Sequence, residues 1–354
     1  MTPLLPLATA AREQGHEVVL AAAPEHAPLL RRRGFTTWAV GPTFADMRNF
    51  RRARENFDAL PPAHQMATDI HAVFGTASAG RVTELGPLMR QWNPQLVVHD
   101  PTEFAAPVIA RTVDAARVVH GIGVTPVAPQ RRLLEHAARA TIARWGGPSD
   151  TDLFETLYLD PCPPSLRIPN ADTAFARSLS IRPAVQCDTG GDFVYLTLGN
   201  NAAPRLLSEA LRGLQHLDIV VGADPKALGS QPSNVHVAEH FPGLAGCRAV
   251  IHHGGAATTF SAFAHGVPQL VLPQAADNFV NAAAALRTGA ALTLSPASVS
   301  AAAVADAVHR LLVDPRFRRS AETPRDEIAA LPTAAERLGD AVSDLLATAP
   351  AHVT

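Results

Sequence analysis

The stretch AVIHHGGAATT, residues 249–259, decides the fold of this chain. It opens with a short apolar run that is typical of a buried strand. Gly254 and Gly255 follow, and glycines allow both a tight turn and the close approach of a ligand. Residues 258–264 then have a helical pattern. We therefore expect the free N–H groups of a helix's first turn to face the end of the strand.

A helix that begins beside the end of a strand can bind phosphate. Its unpaired N–H groups and its dipole both attract negative charge. The His253 imidazole and the Thr258 hydroxyl would add two polar groups beside them. Plainer interpretations stay open: His253 could cap a buried strand, the two glycines could form an ordinary turn, and Thr258 could serve only the helix start. We expect His252 to point the other way, into the packed interior.

Two polar residues follow the next predicted strand, which spans 269–272. This strand delivers Asp277 and Asn278 to the same edge of the sheet as His253. An acid and an amide side by side suit sugar hydroxyls, which both donate and accept hydrogen bonds. The alternative is that the pair caps a helix that begins near Val280. A phosphate site beside a sugar site predicts a pocket for a nucleotide sugar.

The rest of the chain alternates short helices and strands, which predicts parallel α/β sheets with helices on both faces. With 354 residues the chain is long enough for two domains. Residues 146–192 are rich in proline, glycine and aspartate, and the alternation restarts after them. We predict two doubly wound domains over 1–185 and 186–335, followed by a terminal helix over 336–354.

Composition excludes several classes of function. A net charge of −2 gives no electrostatic reason to expect a nucleic acid or an anionic membrane as partner. The three cysteines, Cys162, Cys187 and Cys247, are too few and too far apart for a disulfide framework or a paired-cysteine metal site. No apolar run approaches the ~20 residues that span a bilayer, and we expect no signal peptide because the first residues lack a basic stretch followed by an apolar one. We expect a cytoplasmic protein, with a homodimer as one option.

At residues 252–259, at Gly-Val-Pro-Gln 266–269 and at Asp277-Asn278 the chain resembles the GT-B glycosyltransferases that decorate bacterial natural products. These include macrolide and enediyne antibiotics, and the resemblance extends to the glycosyltransferases of the calicheamicin pathway. It implies two Rossmann-like domains that face a cleft, with the acceptor on 1–185, the nucleotide sugar on 186–335 and the terminal helix packed back on the first domain. It also implies a set of donor-binding residues, namely Gly199, Asn200, His240, Phe241, His253, Gly254, Gly255, Ala256, Ala257, Thr258, Asp277 and Asn278.

The chain departs from the family pattern at three of these positions. Ala257 stands where the family has glycine, and its methyl group would narrow the approach of the phosphate unless its φ is negative. Asn200 replaces a threonine but keeps the ability to form hydrogen bonds. His240-Phe241-Pro242 matches a Trp-x-Pro segment that holds the base, so the His240 ring would take the place of the indole.

Asp100 is the expected catalytic residue. In the family an aspartate at the end of this strand binds a histidine that takes the proton of the acceptor hydroxyl. That histidine precedes the proline that Pro3 matches, so it would fall one position before Met1. We expect a truncated or misassigned start rather than a lost base, because a sheet without its central strand would expose two unpaired edges. His16, His99 and His120 are candidate substitutes, although His16 has a simple structural interpretation and His99 should point away from Asp100.

The resemblance predicts an inverting O-glycosyltransferase that moves a deoxysugar from a nucleotide diphosphate, dTDP in our prediction, to an apolar natural-product aglycone. Irregular segments 42–78 and 128–160 would contact that acceptor. No metal and no tightly bound cofactor are expected, because helix N–H groups, His253 and Thr258 would stabilise the leaving group. The alternatives are a non-catalytic auxiliary protein of the same fold, which the missing histidine and Ala257 favour, and a sugar-nucleotide epimerase.

Overall fold

The computed structural model describes most of the chain, namely residues 3–43, 45–47, 49, 69–146, 155–175, 177–185, 191–199, 203–223, 228, 232–238, 241, 243–274 and 277–348. The chain divides into two compact units. Unit 1 takes the residues up to Pro161, Pro169–Ile181 and those from Pro332 onward, and unit 2 takes Cys162–Ile168 and Arg182–Leu331.

These junctions differ from the predicted boundaries at 185 and 335. Both crossings lie four residues earlier, after Ile181 and after Leu331. The short segment 162–168 belongs to unit 2 although the sequence around it belongs to unit 1. It is held there by specific contacts, because Ser165 N donates to Glu327 Oε2 at 2.9 Å and an Arg287 guanidinium nitrogen donates to Leu166 O at 3.1 Å.

Unit 1 begins with alternating helices and strands. In chain order these are α1 (Leu5–Glu13), β1 (Val19–Ala22), α2 (Ala27–Arg32), β2 (Thr36–Ala39), a π-helix (Asp69–Gly75), α3 (Thr76–Trp92), β3 (Leu96–His99), α4 (Ala105–Ala110), β4 (Ala116–His120), α5 (Ala128–Trp145), β5 (Leu157–Asp160) and β6 (Arg177–Ser180). β1 and β2 form one parallel pair, and β3, β4, β5 and β6 form a parallel sheet in that order. Among the described residues, β1 pairs with β2 alone and β3 with β4 alone.

The four-stranded sheet of unit 1 is covered on both faces. Val118 and Leu159 lie in a cluster with Leu7 of α1, while Val97 of β3 lies in a cluster with Ile109 of α4. The covering is most complete at β5, whose four residues are all buried, as expected for a parallel strand with helices on both sides.

Unit 2 contains a second parallel sheet. After a 3₁₀ turn (Pro164–Leu166), its elements are β7 (Val194–Thr197), α6 (Pro204–Gly213), β8 (Ile219–Gly222), β9 (Val235–Ala238), β10 (Ala249–His252), α7 (Ala256–Ala264), β11 (Gln269–Val271), α8 (Asn278–Arg287), β12 (Ala291–Thr293), α9 (Ala301–Val313) and α10 (Pro315–Ala330). The strand order is β9-β8-β7-β10-β11-β12. The chain therefore starts in the middle, builds outward to β9 and then restarts on the other side of β7 at β10.

This order is that of the dinucleotide-binding fold, with its switch point between β7 and β10. In such sheets the loops after these two strands leave in opposite directions and open a crevice beyond their carboxyl ends. The sheet is buried on both faces, with Leu196 and Ile251 in one cluster and Tyr195 and Val250 in the other. The fold thus places the end of β10, which carries the His253 motif, where ligands bind in this architecture.

The C-terminal part of the chain forms two helices, and the predicted terminal helix over 336–354 begins at Ala334. α10 ends at Ala330, and a separate helix, α11 (Ala334–Thr348), follows in unit 1. Pro332 interrupts the helix because proline lacks the N–H that the preceding turn needs. In α11, Leu338 packs in a cluster with Leu7, and Arg337 Nε donates to Ser180 O at 2.6 Å. No described helix is both long and apolar enough to cross a membrane.

Candidate functional site

The loops after β7 and β10 meet at the switch point. Thr197 and His252 are paired at the ends of these strands. Beyond them, Gly199 has a φ of +72°, and a Cβ atom there would lie 3.1 Å from Cε1 of His253. The structure therefore brings together two residues, Gly199 and His253, that were predicted to bind the donor from separate parts of the sequence.

The turn after β10 depends on Gly254. Its φ is +88°, and an added Cβ atom would lie 2.7 Å from the carbonyl oxygen of Asn278. Glycine is thus required both by backbone conformation and by space. The peptide is also held at both ends, because Gly254 N donates to His252 Nδ1 at 3.1 Å and Asn281 Nδ2 donates to Gly254 O at 2.8 Å.

His252 supports this turn from the interior. The side chain is fully buried, and Nε2 lies 2.9 Å from Oε1 of Gln269. Because the Gly254 N–H occupies Nδ1, the ring carries its proton on Nε2 and donates it to Gln269. Burial, with a smaller contribution from His253, lowers the pKa of His252 to about 3. A neutral ring is the form that this pair of hydrogen bonds needs.

The His253 ring is confined between two glycines. A Cβ atom at Gly255 would lie 2.5 Å from its Nε2, and one at Gly199 would approach the same ring. The side chain is half-buried, and its Nδ1 is buried without a hydrogen-bond partner among the described residues. Burial lowers the pKa of His253, and the nearby backbone of Thr197 opposes part of that shift.

Helix α7 begins at Ala256, two residues earlier than the pattern predicted. Gly255 precedes it with an extended backbone, φ −63° and ψ 134°, and no side chain caps the helix. The N–H groups of Ala256, Ala257 and Thr258 point out of the first turn, where helix geometry provides no backbone acceptor. This uncapped terminus combines free donors with the positive end of the dipole, the arrangement that binds anions.

Ala257 meets no conformational obstacle in this position. It lies within α7, is not among the residues with positive φ, and its side chain is exposed. The expected penalty for replacing the family's glycine therefore does not arise from the backbone. Of the two threonines, Thr258 is half-buried, whereas Thr259 is buried and donates its hydroxyl to Gly255 O at 3.1 Å.

Asp277 and Asn278 have different environments. Asp277 is exposed and directly precedes α8, but its side chain makes no capping hydrogen bond, so the helix-cap alternative is wrong. Its carboxylate instead accepts from Asn281 Nδ2 at 3.0 Å and from Asn278 Nδ2 at 3.3 Å. Asn278 itself is buried. The pair therefore presents one oriented carboxylate at the surface.

Three residues of the site were not selected from the sequence. Gln269 and Asn281 are buried and hold the turn, and Gln274 links two loops by accepting from Ala203 N at 3.1 Å and donating to Leu198 O at 3.3 Å. Signals for two of them were present. Gln269 is a polar residue at the start of an apolar strand, and Asn281 follows Asp277 by four positions, which places both on one helix face.

The remaining predicted donor contacts are partly described. Phe241 packs edge-to-face on Tyr195, with ring centroids 5.4 Å apart. Its ring is thus part of the hydrophobic cluster on one face of the sheet. Asn200 and His240 lie outside the described residues.

In unit 1, Asp100 is the first residue after β3. It is half-buried, and its Oδ1 accepts from Thr102 N at 2.7 Å and from Thr102 Oγ1 at 2.5 Å. His99 is buried and its Nδ1 donates to the carbonyl of Asp100 at 2.8 Å. Burial lowers the pKa of His99 to about 4. The Asp100 carboxylate therefore stabilises the turn that contains Thr102, in addition to any role in catalysis.

Of the other substitute histidines, His120 ends the neighbouring strand β4. It is buried, its Nδ1 donates to Gly121 O at 2.6 Å, and burial lowers its pKa. His16 is exposed on the loop after α1. Cys162 and Cys247 are buried, and Cys187 lies outside the described residues. Within the described part of the chain no three histidine, cysteine or acidic residues gather closely enough to hold a metal.

Replacing Gly255 by alanine should impair ligand binding without unfolding the protein. Gly255 has a negative φ that alanine adopts freely, but the new Cβ would lie 2.5 Å from His253 Nε2. The ring must then move away from the turn. We expect dTDP affinity to fall about ten-fold in calorimetry, with a melting temperature within a few degrees of the wild type. Equal affinity in the two proteins would mean that the position of His253 does not matter.

Stability should fall as the pH drops from about 6.5 towards 4. His99 and His252 stay neutral when folded, with pKa values lowered from 6.5 to about 4 and about 3, whereas in the unfolded chain both take up a proton near their ordinary pKa. The unfolded state then binds more protons, so each histidine costs about 1.4 kcal/mol per pH unit within that window. Melting of the wild type and of His252→Gln between pH 7 and 5 tests this. The variant should show a shallower dependence for unit 2, and exposed His309→Gln the wild-type slope.

Two family models match the chain. The N-terminal domain of the erythromycin biosynthesis protein CIII-like family matches residues 9–182, and its C-terminal domain matches residues 209–343. The chain is also similar to the tylactone mycaminosyltransferase of Streptomyces fradiae, with 31% identity over 94% of this chain and 87% of the relative.

Two solved structures are similar over nearly their whole length. Glycosyltransferase VinC in complex with dTDP has a TM-score of 0.74 and 26% identity and covers 98% of this chain and 96% of that one. Spinosyn rhamnosyltransferase SpnG with the spinosyn aglycone has a TM-score of 0.75 and 26% identity, covering 96% and 95%. These similarities confirm the predicted GT-B fold class.

All three relatives are transferases by name, which gives the auxiliary-protein and epimerase alternatives no support. They also confirm the prediction that this chain is a glycosyltransferase. A particular similarity to the calicheamicin pathway stays a prediction. The chain belongs to the erythromycin biosynthesis protein CIII-like family of glycosyltransferases.

Proposed function

We propose that this glycosyltransferase is inverting and transfers a deoxysugar from a dTDP donor to a hydroxyl of an apolar natural-product aglycone. The proposed donor site rests on the arrangement of groups at the end of β10, at the switch point of the sheet. There the uncapped N-terminus of α7, the confined His253 ring and the exposed Asp277 carboxylate all stand on loops at the carboxyl edge of one sheet. The dTDP bound in VinC supports the choice of nucleotide, and the spinosyn aglycone in SpnG supports the choice of acceptor class.

In the proposed reaction the acceptor oxygen attacks the anomeric carbon while the bond from that carbon to the diphosphate oxygen breaks. The electron pair leaves with the diphosphate, and a single displacement inverts the anomeric centre. The first-turn N–H groups of α7, the Thr258 hydroxyl and a ring N–H of His253 would stabilise the departing charge. Because these groups are preorganised, we propose that no metal is needed. Activity should therefore survive EDTA.

The sugar would be bound by Asp277. An ionised carboxylate accepts hydrogen bonds only, so it selects hydroxyl donors on the sugar. Asn278 and Asn281 already occupy part of the carboxylate and fix its orientation. Asn278, which we predicted to contact the sugar directly, would act here mainly through Asp277, because its side chain is buried. The enediyne class of acceptor and the identity of the deoxysugar stay predictions.

The test is binding followed by transfer. Calorimetry should show that dTDP binds at least about ten-fold more tightly than ADP, because the proposed donor carries the nucleotide that is bound in VinC. Incubation with a panel of dTDP-sugars and macrolide or polyketide aglycones, read by mass spectrometry, should give a product heavier by one sugar residue. A chain that binds no nucleoside diphosphate, or that binds dTDP but forms no glycoside with any pair, would contradict the proposal.

Asp100 is the residue of unit 1 that we propose takes part in proton removal. Asp100→Asn keeps an oxygen that can accept from Thr102, so the local turn should survive. Loss of the negative charge should lower kcat about hundred-fold, because an amide cannot take up or stabilise the proton that leaves the acceptor hydroxyl. The affinity for dTDP should not change. If kcat is unaffected while Thr102→Ala lowers stability, Asp100 serves only the turn.

A further inference from the structure

One hydrogen-bonded chain runs from the core of unit 2 to the surface carboxylate. His252 Nε2 donates to Gln269 Oε1 at 2.9 Å, and Gly254 N donates to His252 Nδ1 at 3.1 Å. Asn281 Nδ2 then donates both to Gly254 O at 2.8 Å and to Asp277 Oδ2 at 3.0 Å. One amide nitrogen, with two hydrogens, thus bridges the turn that follows β10 and the carboxylate that precedes α8.

We infer that Asn281 is a positioning residue that couples the diphosphate subsite to the sugar subsite. This inference rests on the proposed function. The residue touches neither ligand in our proposal, because its side chain is almost fully buried. It acts on the diphosphate through Gly254, whose carbonyl it holds, and on the sugar through Asp277, whose carboxylate it orients.

The geometry gives this bridge two separable consequences. The Gly254 carbonyl sets the plane of the peptide that follows it and hence the direction of the Gly255 N–H and of the helix start. The second hydrogen of the same amide fixes one oxygen of Asp277 and so orients the carboxylate. The affinity for dTDP, which would contact only the turn, should depend on the first effect. The affinity for a dTDP-sugar should depend on both.

Asn281 is also an unusual residue for its position. It is the fourth residue of α8 and is followed by four alanines, which have a higher helix propensity than asparagine. Burying an amide there is stabilising only because both of its donor hydrogens are used. The hydrogen bonds to Gly254 and Asp277 offset the free-energy cost of burying this amide in the helix. The two hydrogen bonds therefore explain why asparagine occupies this position.

The experiment compares dTDP with dTDP-glucose by calorimetry in Asn281→Leu, Asp277→Ala and the double variant. Asn234→Leu is the matched control, because Asn234 Nδ2 also donates to a backbone carbonyl, Leu217 O, at 2.8 Å in the same unit. Asn281→Leu should weaken dTDP binding about ten-fold, the loss expected when a buried carbonyl loses its donor, and the control should stay within about two-fold.

Measurements with dTDP-glucose separate the effect of Asn281 through Gly254 from its effect through Asp277. The ratio of dTDP to dTDP-glucose dissociation constants should change in Asp277→Ala and in Asn281→Leu. In the Asp277→Ala background, Asn281→Leu should leave that ratio unchanged yet still weaken dTDP about ten-fold. If Asn281→Leu does not fold, Asn281→Ala removes the donors without adding a charge beside Asp277 and should give the same pattern.

The outcomes distinguish failure of the coupling role of Asn281 from failure of the proposed function. An Asn281 variant that matches the Asn234 control on dTDP, or one that shifts the sugar ratio equally with and without Asp277, would overturn the coupling. A ratio insensitive to Asp277→Ala would also overturn it. In those cases wild-type dTDP binding leaves the proposed function standing, whereas a wild type that does not bind dTDP overturns both.

Discussion

Replacing His253 by alanine should weaken dTDP binding by at least about ten-fold and lower kcat by about a further hundred-fold. The affinity loss follows from removing a hydrogen bond to a charged group, which contributes about 1.5–3 kcal/mol. The larger loss in rate follows because the diphosphate gains charge as the sugar departs, and one donor aimed at such charge contributes about 10²–10³ in rate. The ring is suited to this role because Gly199 and Gly255 confine it at the switch point.

The control for this prediction is His265→Ala. His265 follows the other end of α7, and its Nδ1 donates to Ser261 O at 2.8 Å. Its removal should leave dTDP affinity unchanged. His253→Gln, which keeps an N–H donor of similar reach, should recover part of the affinity but not the full rate. If His253→Ala binds dTDP as the wild type does, the ring serves only to pack the turn.

Replacing Gly254 by alanine should destabilise unit 2 by about 3 kcal/mol. A left-handed φ of +88° costs an L-residue about 1–2 kcal/mol, and overpacking against the backbone adds a similar amount. The added Cβ would lie 2.7 Å from Asn278 O, which is backbone and cannot rotate away. For a unit of this size the change corresponds to a fall of roughly 6–12 °C in melting temperature.

Gly246→Ala separates the two contributions. Gly246 lies in the same unit with a similar φ of +77°, but the nearest atom to its added Cβ is 3.6 Å away. It should therefore pay only the conformational cost, about 1–2 kcal/mol. Calorimetric melting of both variants, with the unit 2 transition followed by tryptic peptide mapping, measures the difference. Equal destabilisation would show that the contact between the turn and α8 is loose.

Much of the site could be predicted because its pattern is local. The apolar run, the glycine pair and the helix lie within eleven residues, 249–259, so strand, turn and helix terminus follow from neighbouring residues alone. The start of α7 was predicted two residues late because Ala256 and Ala257 carry no capping signal. The helix begins where the extended backbone of Gly255 ends. The sequence does not predict that conformation, because glycine adopts many values of φ.

The parts that were missed depend on contacts between distant segments. Asn281 and Gln269 had only weak local signals, and their roles follow from the fold, which places them beside Gly254 and His252. The segment 162–168 joins unit 2 through Glu327 and Arg287, which are more than a hundred positions away. Alternation of helices and strands predicts that sheets form, but it does not determine the unit against which an irregular segment packs.

The most direct test of the central claim is a crystal structure of the chain with dTDP at saturating concentration. The account predicts diphosphate oxygens within about 3.2 Å of the first-turn N–H groups of α7 and of a His253 ring nitrogen. It also predicts that Asn281 still bridges Gly254 and Asp277 in the complex. Density for dTDP away from the end of β10, or none at all at saturation, would contradict the account.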